Sequence, residues 1–192
     1  MKNKLLLALT LAVTLGSVSA HAQKSSWAID PVHSSVNFEI LHMGVSHVHG
    51  AFSNVKGTVM LNEKEITKSM VAATIDTTTV STANDARDKH LKSPDFFDVE
   101  KNPMMTFQST SLARRGGKLY LIGNLTLNGV TKSVTLDLDG PTPPQTMQGK
   151  TISGFSASGV ILRSDYGFGS KFAPPILGNE VKFTIDVEID KL

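Results

Sequence analysis

Apolar and polar residues alternate with a period of two along most of this chain. Val36, Phe38 and Ile40 interleave with Ser35, Asn37 and Glu39, and Val134, Leu136 and Leu138 with Thr135, Asp137 and Asp139. Leu119, Leu121, Leu125 and Leu127 share one face around Gly123. The last segment is the cleanest, setting Val181, Phe183, Ile185, Val187 and Ile189 against Lys182, Thr184, Asp186, Glu188 and Asp190. Successive side chains of a strand point to opposite faces, so each run reads as a strand with one apolar and one wet face. Comparable runs near 52–61, 69–80, 103–112 and 150–163 bring the expectation to about eight antiparallel strands. Arg115-Gly116-Gly117-Lys118 and Asn128-Gly129 supply tight turns, because glycine takes positive φ without steric cost. Pro141, Pro143 and Pro144 mark one longer loop, and Pro174-Pro175 another. The pattern is that of one all-β domain, and it admits both a sandwich with a fully packed core and an up-and-down barrel. Gly57, Gly123, Gly154 and Gly159 lie within strand-like runs, where a sheet can bend or bulge as barrel closure requires.

One stretch, residues 84–97, breaks the alternation. Asn84 or Asp85 can cap a helix, and Asp85 with Lys89 and Asp88 with Lys92 are acid-before-base pairs four residues apart. Pro94 excludes the helical conformation from the residue before it and stops that helix. Ser93-Pro94-Asp95 then reads as a second start: a Ser cap, Pro at the first helical position and Asp at the positive end of the dipole. Two short helical turns would deliver Leu91, Phe96 and Phe97 beside Arg87, Asp88 and His90, as a plug for an open sheet end or a lid over a ligand.

The run from Arg87 through Lys89-His90-Leu91 and Ser93-Pro94-Asp95-Phe96-Phe97 to Asp98 resembles the signature of the YceI-like, polyisoprenoid-binding family. Four more pieces stand in the matching order: Asp30-Pro31-Val32-His33-Ser34, Pro103-Met104-Met105-Thr106-Phe107, the segment 123–131, and Arg163-Ser164-Asp165-Tyr166-Gly167. The likeness thus covers essentially everything after residue 22. Asn102, where an aromatic is common, and Ser133, where a proline often stands, depart from the family pattern. The resemblance implies an elongated, lipocalin-like barrel of about eight strands with the helical segment at its open side. An eight-stranded barrel is about wide enough for one slender ligand. The implied partner is a polyisoprenoid lipid of the prenylquinone or polyprenyl phosphate type.

At 192 residues the chain has the length of a single domain with a real core. Residues 1–22 read as a cleaved secretory signal peptide, with basic Lys2 and Lys4, an apolar run over 5–15 and a small-x-small site at Ala20-His21-Ala22. That run is short for a bilayer, and no later one is long enough, so residues 23–192 are expected in the periplasm without stable membrane insertion. There is no Cys, hence no disulfide framework and no lipoprotein anchor at the cleavage site. Without Lys2 and Lys4 the 19 Lys and Arg become 17, against 17 Asp and Glu. A near-neutral domain without a basic patch points away from nucleic acid. A homodimer stays open.

Arg87 and His90, three apart on a helix, share a face, whereas Asp88 lies about 100° round from Arg87. Arg87 and His90 read equally as contacts for a polar head group and as pins for the helix; Asp88 reads rather as a pin. His33 is either a head-group contact or a hydrogen-bonding residue at a strand end. His47 and His49 would share a face if Val48 lies on a strand, a workable metal spacing, but a third ligand is missing from the pattern, and Gly44 and Gly50 point to a loop. No metal and no cofactor is expected. The chain lacks a Gly-x-Ser-x-Gly elbow, a phosphate-cradling glycine loop and a cysteine nucleophile, so no catalytic residue is assigned.

The nine phenylalanines are core residues by default, with a minority lining a tunnel. The candidate ligand contacts are His33, Phe38, Phe52, Arg87, His90, Leu91, Phe96, Phe97, Phe107, Arg163, Asp165 and Phe168. At about 0.8 kcal/mol per buried CH₂, ten buried carbons outweigh one head-group hydrogen bond of about 1 kcal/mol, so the tail holds such a ligand and the head orients it. Three functions fit: an exported carrier of an isoprenoid lipid, an enzyme acting on that lipid with His90 and Asp88 as acid and base, or a barrel filled by its own side chains.

Overall fold

The computed structural model describes residues 24–192; the expected signal peptide lies outside the described residues. Its strands are β1 (Lys24–Ile29), β2 (Ser35–His42), β3 (Ser46–Phe52), β4 (Val55–Asn62), β5 (Met70–Asp76), β6 (Met104–Arg115), β7 (Lys118–Leu127), β8 (Val130–Asp139), β9 (Gln145–Met147), β10 (Lys150–Leu162) and β11 (Leu177–Lys191). One helix, α1 (Asp85–Leu91), sits between β5 and β6.

All strand pairings are antiparallel, and β10 against β11 closes the sheet on itself. The fifteen residues of β11 pair along one edge with β2 and, further on, with β1. β1 and β2 are therefore two halves of one strand, interrupted at Pro31, which has no N–H to donate to a ladder. β3 and β4 pair with β2 and β1 respectively and form a second interrupted strand. Counted this way the molecule is a closed eight-stranded antiparallel barrel, not a sandwich, with the small strand β9 added beside β10.

The expected turns hold the hairpins. Gly116-Gly117 joins β6 to β7 and Asn128-Gly129 joins β7 to β8, both residues of each pair having positive φ. That is the turn whose twist matches the strands it connects. Other boundaries differ from the alternation. The strand expected to reach residue 80 stops at Asp76, whose side chain accepts the Thr78 N–H at 2.9 Å and starts a 3₁₀ turn instead. The expected loop around His47 is strand β3, and Gly50 lies within it opposite Phe38. A Cβ on Gly50 would fall 2.3 Å from the Phe38 ring. The glycine makes room for an inward aromatic there.

The interior is uneven along its axis. At one end Trp27, Ile29, Val59, Leu61, Val187 and Ile189 are buried, Trp27 and Ile189 completely. Towards the other end the inward residues of the same strands, such as Phe38 on β2 and Val181, Phe183 and Ile185 on β11, are only half-buried. There β8 has parted from β10, which it meets only over residues 156–158. The 163–177 segment and α1 close over this half.

Candidate functional site

The hollow half of the barrel is a cavity of about 370 Å³ with almost wholly apolar walls. Phe38 and Ile40 on β2, Phe107 on β6, Leu125 and Leu127 on β7, and Phe183 and Ile185 on β11 form its sides. Its roof is Arg87, His90, Leu91, Phe96 and Phe97 from the α1 segment, with Arg163, Phe168 and Phe172 from the loop after β10. Volumes of about 300–1,000 Å³ with apolar walls and a few polar groups are typical of small-molecule sites.

The roof segment folds as local chemistry dictates at its first turn and departs from it at the second. Asn84 caps α1 by accepting the Arg87 N–H at 3.0 Å. After Leu91 the chain makes tight turns, with the N–H groups of Phe96 and Asp98 both bonded to the Ser93 carbonyl, so the expected second helical start does not propagate. The expected ion pairs of Asp85 with Lys89 and Asp88 with Lys92 do not form among the described residues. Asp88 turns to Thr82 instead, accepting from its N–H at 2.8 Å and from its hydroxyl. The hydroxyl bond is the main reason the Asp88 carboxyl lies below the usual carboxylate range. Arg87 joins the same knot, donating from Nε to the Thr82 hydroxyl at 2.7 Å and from Nη2 to the Thr82 carbonyl at 3.0 Å.

Phe96 and Phe97 point apart, as neighbours must. Phe97 packs edge-on to buried Phe52, with ring centroids 5.2 Å apart, and 4.7 Å from buried Phe168. Phe96 stacks on Phe172 at 5.7 Å and meets the edge of the His90 ring at 5.1 Å. Behind His90, at 3.5 Å, stands Asp95, whose carboxylate receives Lys171 at 2.6 Å. The lysine is the chief cause of the lowered Asp95 pKa. The Asp95 carbonyl accepts the Gly169 N–H, tying the two roof segments together.

Arg163 is 6 % exposed and has no carboxylate partner among the described residues. Its five N–H groups go to backbone carbonyls: Nε to Gly178 (2.7 Å), Nη1 to Phe168 (2.7 Å) and Gly169 (2.9 Å), Nη2 to Leu177 (3.0 Å) and Phe172. Burial lowers its pKa, yet a guanidinium stays charged in proteins. One side chain thus shapes the whole 163–178 loop.

Two of the twelve candidates lie elsewhere. His33 stands outside the barrel at the break between β1 and β2, with Nδ1 2.9 Å from Asp30 and 3.5 Å from Glu188. Among the described residues, Asp30, His33 and Glu188 bring their ligand atoms within 4.8 Å of one another. His47 and His49 do share a strand face, their ring centroids 6.5 Å apart, and His49 Nδ1 stands 3.9 Å from Glu39, but both histidines are exposed and belong to no compact three-ligand cluster among the described residues. Asp165 is exposed on the turn after β10 and does not line the cavity, because the 3₁₀ turn that buries Arg163 and Tyr166 directs it outwards. Phe172, His42, Ile176 and Leu177 line the cavity and were missed, since they lie at a strand end or in the proline loop, where periodicity assigns no face.

Residues 27–189 match the YceI-like domain. The chain belongs to the YceI-like family. The protein YceI of Salmonella arizonae is 39% identical over 187 residues, 96% of both chains. The crystallised YceI protein of Campylobacter jejuni, 30% identical, superposes with a TM-score of 0.69 over 77% of this chain and 87% of that one. Two more distant structures share the fold alone. Burkholderia cenocepacia BcnA gives a TM-score of 0.72 at 22% identity, over 83% of this chain and 98% of that one. A polyisoprenoid binding domain from Saccharophagus degradans gives 0.66 at 14%, over 88% and 100%. Among the described residues of this YceI-like chain, no helix is long and apolar enough to cross a membrane.

Proposed function

We propose that this protein binds one long isoprenoid lipid in the hollow half of its barrel, as a periplasmic carrier, store or sequestering protein released from a signal peptide at residues 1–22. The observation that carries the reading is the apolar cavity of about 370 Å³ under a roof with polar groups at its edge. Membership of the YceI-like family and the polyisoprenoid binding domain among its structural relatives support the same ligand class. A methyl-branched tail suits such walls, because it gains burial and dispersion without needing directional bonds. Candidate contacts are Phe38, Phe52, Phe107 and Phe168 for the tail, with Leu91, Phe96 and Phe97 above it and Arg87 and His90 at the head. The enzyme reading is weaker, because Asp88 is engaged by Thr82 and His90 has Asp95, not Asp88, beside it.

Native mass spectrometry of protein extracted without detergent tests this directly. The expected spectrum shows a chain beginning at Gln23 with one lipid bound and chemically unchanged over hours. An empty protein from every preparation would overturn the binding reading. Lipid turnover abolished by His90→Ala would replace it with the enzyme.

A further inference from the structure

Two neighbouring loops at the rim of the cavity are largely exposed and carry no Lys, Arg, Asp or Glu. They are residues 41–46, where β2 turns into β3, and 172–179, which lead into β11. Val45 is 85 % and Met43 56 % exposed, and Ala173, Pro174, Pro175 and Ile176 stand in solvent beside them. The Met43 N–H donates to the Ile176 carbonyl at 3.0 Å, and a Cβ on Gly44 would meet Pro175 at 3.9 Å, so the loops form one surface. That surface runs directly into the cavity. His42, Phe172, Ile176 and Leu177 belong to the same two loops and line its walls. Backbone donors on the surface are mostly spent. The N–H of Val45 bonds the His42 carbonyl at 3.1 Å, that of Phe172 the Gly169 carbonyl at 2.9 Å and that of Ile176 the Ala173 carbonyl at 3.0 Å. Pro174 and Pro175 have no N–H to offer.

Resting on the lipid-binding reading above, we propose that this surface docks the protein reversibly on a lipid bilayer, so that the lipid passes between membrane and cavity without crossing water. Exposed apolar patches mark contacts with proteins or membranes. Protein partners are also held by hydrogen bonds, about one per 100–200 Å² of interface, and this surface has few free donors to give. A bilayer asks the opposite: apolar side chains to set at the acyl boundary, and backbone groups already paired. Lys171 and Glu180, which flank the second loop, carry opposite charges. The contact is therefore apolar rather than electrostatic. It needs no anionic lipid and persists at high salt.

Geranylgeraniol held in phosphatidylcholine vesicles tests the docking, with dispersed farnesol as a probe of the cavity itself. The wild-type protein is expected to float with the vesicles at low and at high salt. It should withdraw geranylgeraniol at least about tenfold faster than the Met43→Asp/Val45→Asp double variant, which removes two apolar side chains from the membrane contact. Neither residue lines the cavity, so both proteins should bind farnesol with equal affinity. Equal withdrawal rates, or flotation lost at high salt, overturn the docking proposal and leave lipid binding standing. A wild-type dimer in analytical ultracentrifugation that the double variant dissociates assigns the surface to a second copy of the chain, and overturns it as well. Failure of the wild type to bind farnesol counts against the lipid-binding reading, while flotation still decides the docking. Should the double variant not fold, Val45→Asp alone, at the more exposed position, gives the same comparison.

Discussion

Neighbouring phenylalanines in the roof have different tasks. Phe97 is wedged between buried Phe52 and Phe168, whereas Phe96 sits by His90 and Phe172 at the mouth. Phe97→Ala should lower stability by about 3 kcal/mol, the low end for a buried Phe because the residue is only half-buried. Phe96→Asp should change the melting temperature less but empty the protein of lipid, since it sets an unpaired charge against the tail. Melting curves and lipid occupancy of both variants check this, and a reversed order would contradict it. His33 carries the pH-sensitive contact. Its hydrogen bond to Asp30, with the charges of Asp30 and Glu188, raises its pKa above the ordinary value of about 6.5. A raised folded pKa means that the stabilisation is fully present below the unfolded value and is lost as pH rises through the folded one. An NMR titration of the His33 ring should therefore show a midpoint above about 6.5 that falls back in Asp30→Asn. A midpoint unmoved by Asp30→Asn would show the contact to be absent in solution.

At the scale of elements, α1 is too short to stand alone. Seven residues make two turns, and isolated helices below roughly 12 residues are marginal in water. Tertiary hydrogen bonds hold it: Asn84 caps it, and Asp88 and Arg87 bind it to buried Thr82. Thr82→Ala and Asp88→Ala should each cost about 1–2 kcal/mol. Because both remove the bond between the Thr82 hydroxyl and Asp88, the double variant should cost less than the sum of the two. Fully additive losses in urea denaturation would show that the two residues act separately. The roof is thereby pinned at its start and tied to the opposite loop through the Asp95 carbonyl.

For the whole molecule the decisive feature is a barrel packed at one end and hollow at the other. Ile185 and Ile189 lie on the same face of β11, yet Ile189 is fully buried and Ile185 borders the cavity. Ile189→Ala should cost about 2–5 kcal/mol, as for a well-packed core site, and Ile185→Ala less than half as much in the lipid-free protein. Adding lipid should widen the loss for Ile185→Ala alone. Equal losses in lipid-free protein would mean that the cavity collapses in solution.

The all-β class, the apolar faces of the long strands, both glycine turns and the capped helix were legible in the chain itself, because period-two alternation and capping act between residues close in sequence. Alternation also put Phe38 and Phe183 on apolar strand faces, but which of the nine phenylalanines line the cavity it left open. Closure of the barrel was decided only by the fold, since the pairing of β10 with β11 and the splitting of strands at Pro31 are choices among edges that look alike locally. The same holds for the cavity. Alternation says that Ile185 and Ile189 face inwards, but whether that interior is filled depends on side chains arriving from seven other strands. The exclusion of His33 and Asp165, the inclusion of Phe172, and the binding of Arg163 to five carbonyls are likewise tertiary, because each follows from how a loop without periodicity is folded back over the barrel.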